Sequence, residues 1–550
     1  MAARRNNDGQ LGMTSAVAVK KPGALGAGWF ILFLSLFNSA LFQWPLYALA
    51  LSTRPTFGWR TIAAVGTLFV FQMMISMTVF GLCAIVSIRL LKILSALFTV
   101  ANSVALYFIV QYNVGIDATM IGNIVNTNVE EAAELFHPKL LLYILVFGFI
   151  PAIVVLRQRV VPGPLLRRAA FIAVSLLAGS AWVYANAQSW LWIDKNAKAF
   201  GGRVLPWSYL INAARYYTFE AERHRVALPL PPITSVKPGG MLFVLVIGEA
   251  ARVQNFSLYG YRRATNPRLA QDGVVAYPAA RSCSTYTTAS LRCMLSHRGA
   301  NGLSANDEPL PSYLYRHGIE VIWRTNNFGE PPLQVSRYDS AERIRKTCKQ
   351  DCARLDFDDV LLHGLDAMLR GAKDDTKTLI VLHQGGSHGP QYSKKYPAEF
   401  DRFKPSCQSV DLQKCGAGEL VNAYDNTIVY TDDLLHRLIT LLKSLERPSV
   451  MLYMSDHGES LGENGLYLHG VPMPLAPEVQ FSVPLIVWTS DKFKQSGGGM
   501  KDPARLGGNR SHDVVFHSVL GAMGLRSSVY VPENDLFQAI PASKPPTDKE

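Results

Sequence analysis

The sequence predicts two unlike parts: a membrane domain of five transmembrane α-helices, then a soluble α/β domain with a mainly parallel sheet. Three observations lead there. Five long runs without Asp, Glu, Lys or Arg fill the first third of the chain. After residue 240, short runs rich in Val, Ile and Leu alternate with helical patterns, as in a parallel sheet covered on both faces. Six of the seven cysteines follow Glu249. At 550 residues the chain is too long for one ordinary domain. Its net charge of +12 suits nucleic acid or an anionic lipid surface. There is no basic helix, zinc-finger spacing or aromatic–basic RNA motif, so lipid is expected and nucleic acid is not.

Residues 1–26 are polar, small and basic at Arg4, Arg5, Lys20 and Lys21, and read as a disordered cytoplasmic tail. The membrane domain, 27–187, holds the candidate spans Gly28–Leu51, Thr61–Ile88, Ile93–Gln111, Leu140–Leu156 and Ala169–Ala187. Arg89 and Lys92 follow the second span, and Arg157, Arg159, Arg167 and Arg168 follow the fourth. Basic short loops belong in the cytoplasm. The connection after the third span carries Asp117, Glu130, Glu131 and Glu134, which suits the outside. Five crossings from an inside start then place everything after residue 187 outside.

The outer connection also carries Asn123, Thr127 and Glu131 at intervals of four, which share one face if the segment is helical. Two readings stand: a solvated helix face, or a polar patch meeting lipid headgroups. Trp190, Trp192, Trp207, Tyr209, Tyr216 and Tyr217 predict interfacial helices within 188–225. A Pro-rich, semi-rigid connector follows from Leu228. Residues 188–239 are therefore read as interfacial helices and linker, and 240–550 as the outer domain.

That domain opens with Met241–Gly248, an uncharged run ending at Glu249. Ligand groups in such sheets gather beyond the carboxyl ends of the strands. Further apolar runs are Ile319–Trp323, Thr378–Leu382, Val450–Met454 and Val483–Trp488. The run at 378 leads into His383-Gln-Gly-Gly-Ser-His388-Gly-Pro, and the run at 450 into Ser455-Asp456-His457-Gly-Glu459 and then His469. Carboxylate and imidazole donors arriving from separate strand ends suit a borderline metal such as zinc. Ser282-Cys283-Ser-Thr285-Tyr-Thr287-Thr288-Ala-Ser290-Leu-Arg-Cys293 is a hydroxyl-rich loop between two cysteines. It is either an inert turn or the source of a nucleophile whose hydroxyl a metal activates. The six outer cysteines form three close pairs in order, Cys283 and Cys293, Cys348 and Cys352, Cys407 and Cys415. Neighbour disulfides in an oxidising compartment are expected, and zinc ligation is the alternative, though no C-x2-C pair occurs.

In their order, Gly-Glu249, the Cys-x9-Cys hydroxyl loop, His388-Gly-Pro, Ser-Asp456-His457-Gly-Glu459 and Tyr-Leu-His469-Gly closely resemble the membrane phosphoethanolamine transferases. These belong to the alkaline phosphatase and sulfatase superfamily, and the resemblance runs from about residue 25 to the end. It implies a multi-pass protein of the bacterial inner membrane with a periplasmic catalytic domain. It implies transfer of phosphoethanolamine from phosphatidylethanolamine to lipid A or a nearby lipopolysaccharide sugar, through a covalent phosphoethanolamine–threonine intermediate. Some members of the family confer polymyxin resistance.

The family's nucleophile offset lands on Thr287, with Thr285 and Thr288 as runners-up because this loop has Tyr286 and Thr288 where small residues are usual. Family zinc ligands fall on Glu249, Thr287, Asp456 and His457. Residues that hold the phosphoethanolamine, or a second zinc, fall on His388 and His469, with Glu459 of the same kind. The lipid-donor patch falls on Asn123, Thr127 and Glu131. Asn326 and Asn327 line the same cleft or form a plain turn, and His383 is a further cleft or structural residue. A monomer is expected. The competing readings are a phosphoglycerol transferase of the same superfamily acting on an envelope polymer or glucan, and a non-catalytic membrane sensor or scaffold.

Overall fold

The structure is a computed structural model, and it describes residues 24–53, 58–127, 135–186, 189, 192–193, 196–223, 227–350, 352–371, 373–505 and 510–539. The described residues within 1–104 and 143–195 form one compact unit, and those within 105–142 and 196–550 form another. The borders expected from sequence lay at 187 and 239. The segment 105–142 groups with the later residues because it packs on them.

Apolar helices long enough to cross a membrane are Thr61–Val86 and Leu165–Ala185, within the first unit, and Ile88–Tyr112 and Pro138–Arg157, each of which lies partly in it. A fifth span is a pair, Ala27–Phe42 and Trp44–Ser52, bent by 50°. The span expected over Gly28–Leu51 is thus present as two helices with a bend between them. Residues Asn38–Phe42 wind as a π-helix, and Pro45 opens the second piece without an N–H to give to the turn before it. Glycines let two spans approach closely. A Cβ on Gly81 would lie 2.6 Å from Ile172, and one on Gly179 2.5 Å from Met74. Asn102 Nδ2 donates to Asn38 Oδ1 at 2.9 Å, pairing two buried amides between helices.

The second unit is built on a seven-stranded sheet. Its strands are β1 (Met241–Gly248), β2 (Val275–Arg281), β3 (Glu320–Thr325), β4 (Arg337–Ser340), β5 (Lys377–His383), β6 (Ser449–Ser455) and β7 (Ser482–Thr489). They lie in the order β2-β7-β6-β1-β5-β3-β4. All four pairings from β6 through β1, β5 and β3 to β4 are parallel, and β7 runs antiparallel to both its neighbours. The sheet is thus mainly parallel, and β7 alone among these seven runs against the rest.

Residues 242–247 of β1 are completely buried. Phe243, Leu245 and Ile247 join the core under helices Thr287–Met294, Leu310–Arg316 and Asp513–Ala522. Leu242, Val244 and Val246 join the core under the long helix Ala417–Ser444. Alternate side chains therefore serve two apolar faces, which is why the strand reads as a continuous apolar run. Each such burial contributes about 1.5–3 kcal/mol. The common strand direction gathers the ends of β1, β2, β3, β5 and β6 at one edge of the sheet.

Three disulfides close loops of this unit: Cys283–Cys293, Cys348–Cys352 and Cys407–Cys415. The connector before β1 is pinned by Ser235–Val236, which pairs with Leu525–Arg526. Helices Ala197–Gly201 and Trp207–Arg223 occupy the region where interfacial helices were expected, and Trp190 lies outside the described residues.

Candidate active site and metal centre

Register brings the strand ends into line. Gly248 on β1 pairs with Ser455 on β6, Ile247 with His383 on β5, and Thr325 on β3 with His383. The next residues are Glu249, Asp456 and Asn326. The chain turns sharply after Glu249, and Ala250 adopts φ +53°, a conformation that costs a non-glycine residue roughly 1–3 kcal/mol. That turn aims Ala250 N–H at Asp456 Oδ1, 3.2 Å away, and the Ala250 carbonyl accepts from the Tyr424 hydroxyl at 2.7 Å. Gly386, at φ +48°, lies against Glu249, and a Cβ there would be 2.7 Å from the Glu249 carbonyl oxygen.

β2 feeds the hydroxyl loop. The helix Thr287–Met294 starts at Thr287, and the Cys283–Cys293 bond ties the loop to that helix. Thr287 Oγ1 donates to Glu249 Oε2 at 3.1 Å and lies 3.4 Å from His457 Nε2. Thr285 Oγ1 instead donates to the Val471 carbonyl at 2.6 Å, and Thr288 lies against Gly329. Of the three candidate threonines, Thr287 is the one in contact with the Glu249 and His457 side chains.

His457 Nε2 lies 3.3 Å from Glu249 Oε1 and 3.3 Å from Asp456 Oδ2. Its other ring nitrogen, Nδ1, is 2.9 Å from the Gly458 carbonyl, which can only accept, so Nδ1 carries a proton. Nε2 therefore faces the two carboxylates, and it is the ring position that can lose its proton to take a cation. Glu249 Oε1 and Asp456 Oδ2 are fully buried and have no hydrogen-bond partner. Burial pushes the Glu249 carboxyl up, but the charge and hydrogen bond of His457 lead the opposing influences that hold the group well below its ordinary value. Burial, reinforced by Glu249, drives Asp456 well above its own. Burial pushes the His457 imidazole down, but Asp456 and Glu249 lift it to about 10.

The pattern is that of a site lacking positive charge, in which a ring proton fills the gap. Glu249, Asp456 and His457 each offer a ligand atom, all within 4.8 Å of one another, and Thr287 Oγ1 lies beside them. The donor set and the orphaned carboxylate oxygens fit a divalent cation, whose binding would displace that proton.

Glu249, His388 and His469 form a second group of the same span. The rings of His469 and His457 are 4.2 Å apart, and those of His388 and His469 5.2 Å. Burial, with repulsion from His457, holds His469 down at about 3. His469 Nδ1 and Glu459 Oε2 share a hydrogen bond of 2.9 Å. His383 is completely buried and meets Thr325 Oγ1 at 3.3 Å.

The asparagine pair after β3 divides its work. Asn327 Nδ2 donates to Glu249 Oε2 at 2.8 Å and to the Gln384 carbonyl at 2.9 Å. Asn326 Nδ2 donates to Asp358 Oδ1 at 2.9 Å, and Asp358 also accepts from the amides of Gly385 and Gly386. Asp358 thus shapes the turn pressed on Glu249. Nothing in the local sequence around Asp358 signals this, because its partners are about thirty residues away on either side. A cavity of about 560 Å³ opens beside Asn327 and His388. Its walls carry both signs of charge, from Arg345, Lys394 and Lys395 to Asp356 and Glu342.

The outer segment differs from its expectation. A helix spans Ala118–Asn126, capped by Asp117, and Thr127 is already extended at ψ 125°. Thr127 Oγ1 donates to the Asn123 carbonyl at 2.6 Å, a local bond that competes with helix continuation. Of Asn123, Thr127 and Glu131, which would share a face on a continuous helix, only Asn123 is helical: the helix stops one residue before Thr127, and Glu131 lies outside the described residues. Asn123 itself lies near the site, since a Cβ on Gly470, next to His469, would be 2.9 Å from its Nδ2.

Comparison with known proteins bears on this arrangement. A family described as Sulfatase matches residues 242–525, and one described as Phosphoethanolamine transferase EptA/EptB matches residues 66–221. The chain is 36% identical over 515 residues to phosphoethanolamine transferase EptA of Helicobacter pylori, covering 92% of this chain and 96% of that protein. It is 32% identical over 460 residues to phosphatidylethanolamine transferase Mcr-1 of Escherichia coli, covering 78% and 84%. Among solved structures it is similar to the integral membrane lipooligosaccharide phosphoethanolamine transferase A of Neisseria meningitidis. The TM-score is 0.84 and the identity 30%, over 93% of this chain and 98% of that one.

Proposed function

The chain belongs to the membrane phosphoethanolamine transferases, and from that premise we propose that it carries phosphoethanolamine from phosphatidylethanolamine to lipid A or a neighbouring lipopolysaccharide sugar, with Thr287 as the attacking group. It is an enzyme and a multi-pass membrane protein with a soluble C-terminal domain. In this reading the N-terminus is cytoplasmic, the catalytic domain periplasmic, and the membrane the bacterial inner one. The observation that carries the proposal is a chain of contacts of 3.1–3.4 Å, in which Thr287 Oγ1 meets Glu249 and His457, and His457 meets Glu249 and Asp456.

Zinc is the proposed ion, held by Glu249, Thr287, Asp456 and His457, since mixed carboxylate and imidazole donors suit it. When bound, it supplies positive charge against the phosphoryl oxygens and makes the threonine hydroxyl more acidic. The residues do the rest. Glu249 Oε2 orients the Thr287 hydroxyl and is itself oriented by Asn327. Thr287 Oγ1 passes its proton to Glu249 Oε2, the atom it donates to, and forms a bond to phosphorus as the bond from phosphorus to the diacylglycerol oxygen breaks. The headgroup is left as a phosphoethanolamine–threonine ester. An acceptor oxygen then takes the phosphorus, and Thr287 leaves with its hydroxyl restored by the proton returned from Glu249. The Glu459–His469 pair, buried beside His457, is placed to give a proton to the departing diacylglycerol and to take one from the acceptor. His388 steadies the transferred phosphate. The name of the Escherichia coli relative supports the donor, and the membrane spans suit a reaction between two lipids. Adding an amine to an anionic glycolipid weakens its attraction for cationic peptides such as polymyxin.

Mass spectrometry of envelope glycolipids from cells with and without the protein tests the reading. One added phosphoethanolamine on lipid A or an adjoining sugar is expected. A trapped Thr287 adduct with the mass of phosphoglycerol, or no adduct and no modified lipid, overturns it.

A further inference from the structure

The segment 105–142 is inserted between the two stretches of the membrane-helix unit but belongs to the catalytic unit, and both its limbs end on one buried carboxylate. Asp411 sits in the loop closed by Cys407–Cys415, and its side chain is 1% exposed. Gln111 Nε2, from the outgoing limb, donates to its Oδ1, and Lys139 Nζ, from the returning limb, donates to its Oδ2. Lys414 Nζ lies 3.6 Å away, so the charges facing Asp411 are two ammonium groups. The same loop holds the outgoing limb through Gln413 Nε2, which donates to the Gln111 carbonyl at 2.7 Å.

The part of the segment between these limbs reaches the reaction centre. A Cβ on Gly122 would lie 3.6 Å from the ring of Tyr286, the residue before Thr287. Asn123 Nδ2 meets Gly470, the residue after His469. Ile124 and Val125, the next two residues of the same helix, are 54% and 44% exposed, so the helix that meets the cleft through Asn123 also presents uncovered apolar side chains within one turn. A substrate with a polar head and acyl chains matches that pairing; a deacylated headgroup matches only the cleft. We infer that Asp411 is a positioning residue for the transfer reaction: by fastening both limbs at one point, it sets where residues 118–127 lie beside Thr287 and His469, and so how the acylated donor is seated. The inference rests on the donor proposed above.

The test compares phosphatidylethanolamine in detergent micelles with glycerophosphoethanolamine, using the full-length protein and the variants Asp411→Asn, Lys139→Met and their combination. Hydrogen bonds to a charged group contribute about 1.5–3 kcal/mol, a factor of ten or more. Each single variant is expected to raise KM for the phospholipid about tenfold with kcat within twofold, and to change KM for the water-soluble compound less than twofold. The double variant should match the more affected single one, because both remove the same contact. Equal losses with both compounds, additive losses, or no change overturn the inference. Wild-type protein that releases no diacylglycerol from phosphatidylethanolamine overturns the donor reading instead. Hydrogen exchange judges the clamp without any substrate. Exchange over residues 114–127 should quicken in Asp411→Asn while strands β1, β5 and β6 keep their protection. Unchanged exchange over 114–127, or loss of protection throughout, refutes a local fastening.

Discussion

Asn327→Ala is the most informative single change at the centre. The Asn327 amide donates to the same Glu249 oxygen that receives the Thr287 hydroxyl, at 2.8 and 3.1 Å. Removing it leaves that carboxylate without its fixed donor and free to turn away from the threonine. A hydrogen bond to a charged group contributes about 1.5–3 kcal/mol. If the bond serves the attacking geometry throughout the reaction, kcat/KM should fall about ten- to a hundred-fold. The contact to Gln384 is lost as well, so stability should also drop, by about 1 kcal/mol, or about one degree in Tm for a unit of this size. The assay is headgroup transfer from labelled phosphatidylethanolamine, with thermal unfolding and bound metal measured on the same preparations. A variant with kcat/KM within twofold of wild type, folded and carrying its metal, would refute the argument that Asn327 orients Glu249.

Other outcomes follow from the same geometry. Thr287→Ala should lose transfer to background together with the labelled protein intermediate, while the Glu249, Asp456 and His457 side chains still bind metal; retained transfer would remove Thr287 from its role. Dialysis against a chelator should abolish transfer and lower Tm, because two buried carboxylates lose their counter-charge, and zinc should restore both; activity untouched by chelation refutes the metal centre. Asp535 gives a pH signature in stability. Burial lifts its carboxyl to about 6 from an ordinary 3.8, so the fold favours the protonated form. That stabilisation is complete below about 3.8 and is lost as pH rises through 6, a difference of about 3 kcal/mol. Relative to wild type, Asp535→Asn should therefore gain about 1 kcal/mol between pH 5 and pH 7 in denaturant unfolding; a gap independent of pH refutes the assignment.

The metal-site candidates were readable because each follows a buried strand directly. The apolar run ending at Glu249 and the one ending at Asp456-His457 marked both strands and the end at which side chains collect. The hydroxyl loop between Cys283 and Cys293 was equally plain, but which of its threonines faces the carboxylates depends on the helix that begins at Thr287. Direction was hidden in β7, since Val483–Trp488 reads as buried whichever way it runs. The bend after Asn38 and the helix end at Asn126 turn on local competition for backbone hydrogen bonds, which hydrophobic pattern does not report. Asp358 and Asp411 left no trace in sequence, because their partners lie in separate elements of the chain.

The left-handed residue after Glu249 has a further consequence. One peptide unit links two prospective ligands: the amide of residue 250 is committed to Asp456, and the carbonyl beyond it to Tyr424. The gap between the carboxylates is thereby written into the main chain, not imposed by whatever fills it. A site spaced in this way by its own backbone needs no ion to bring its carboxylates together.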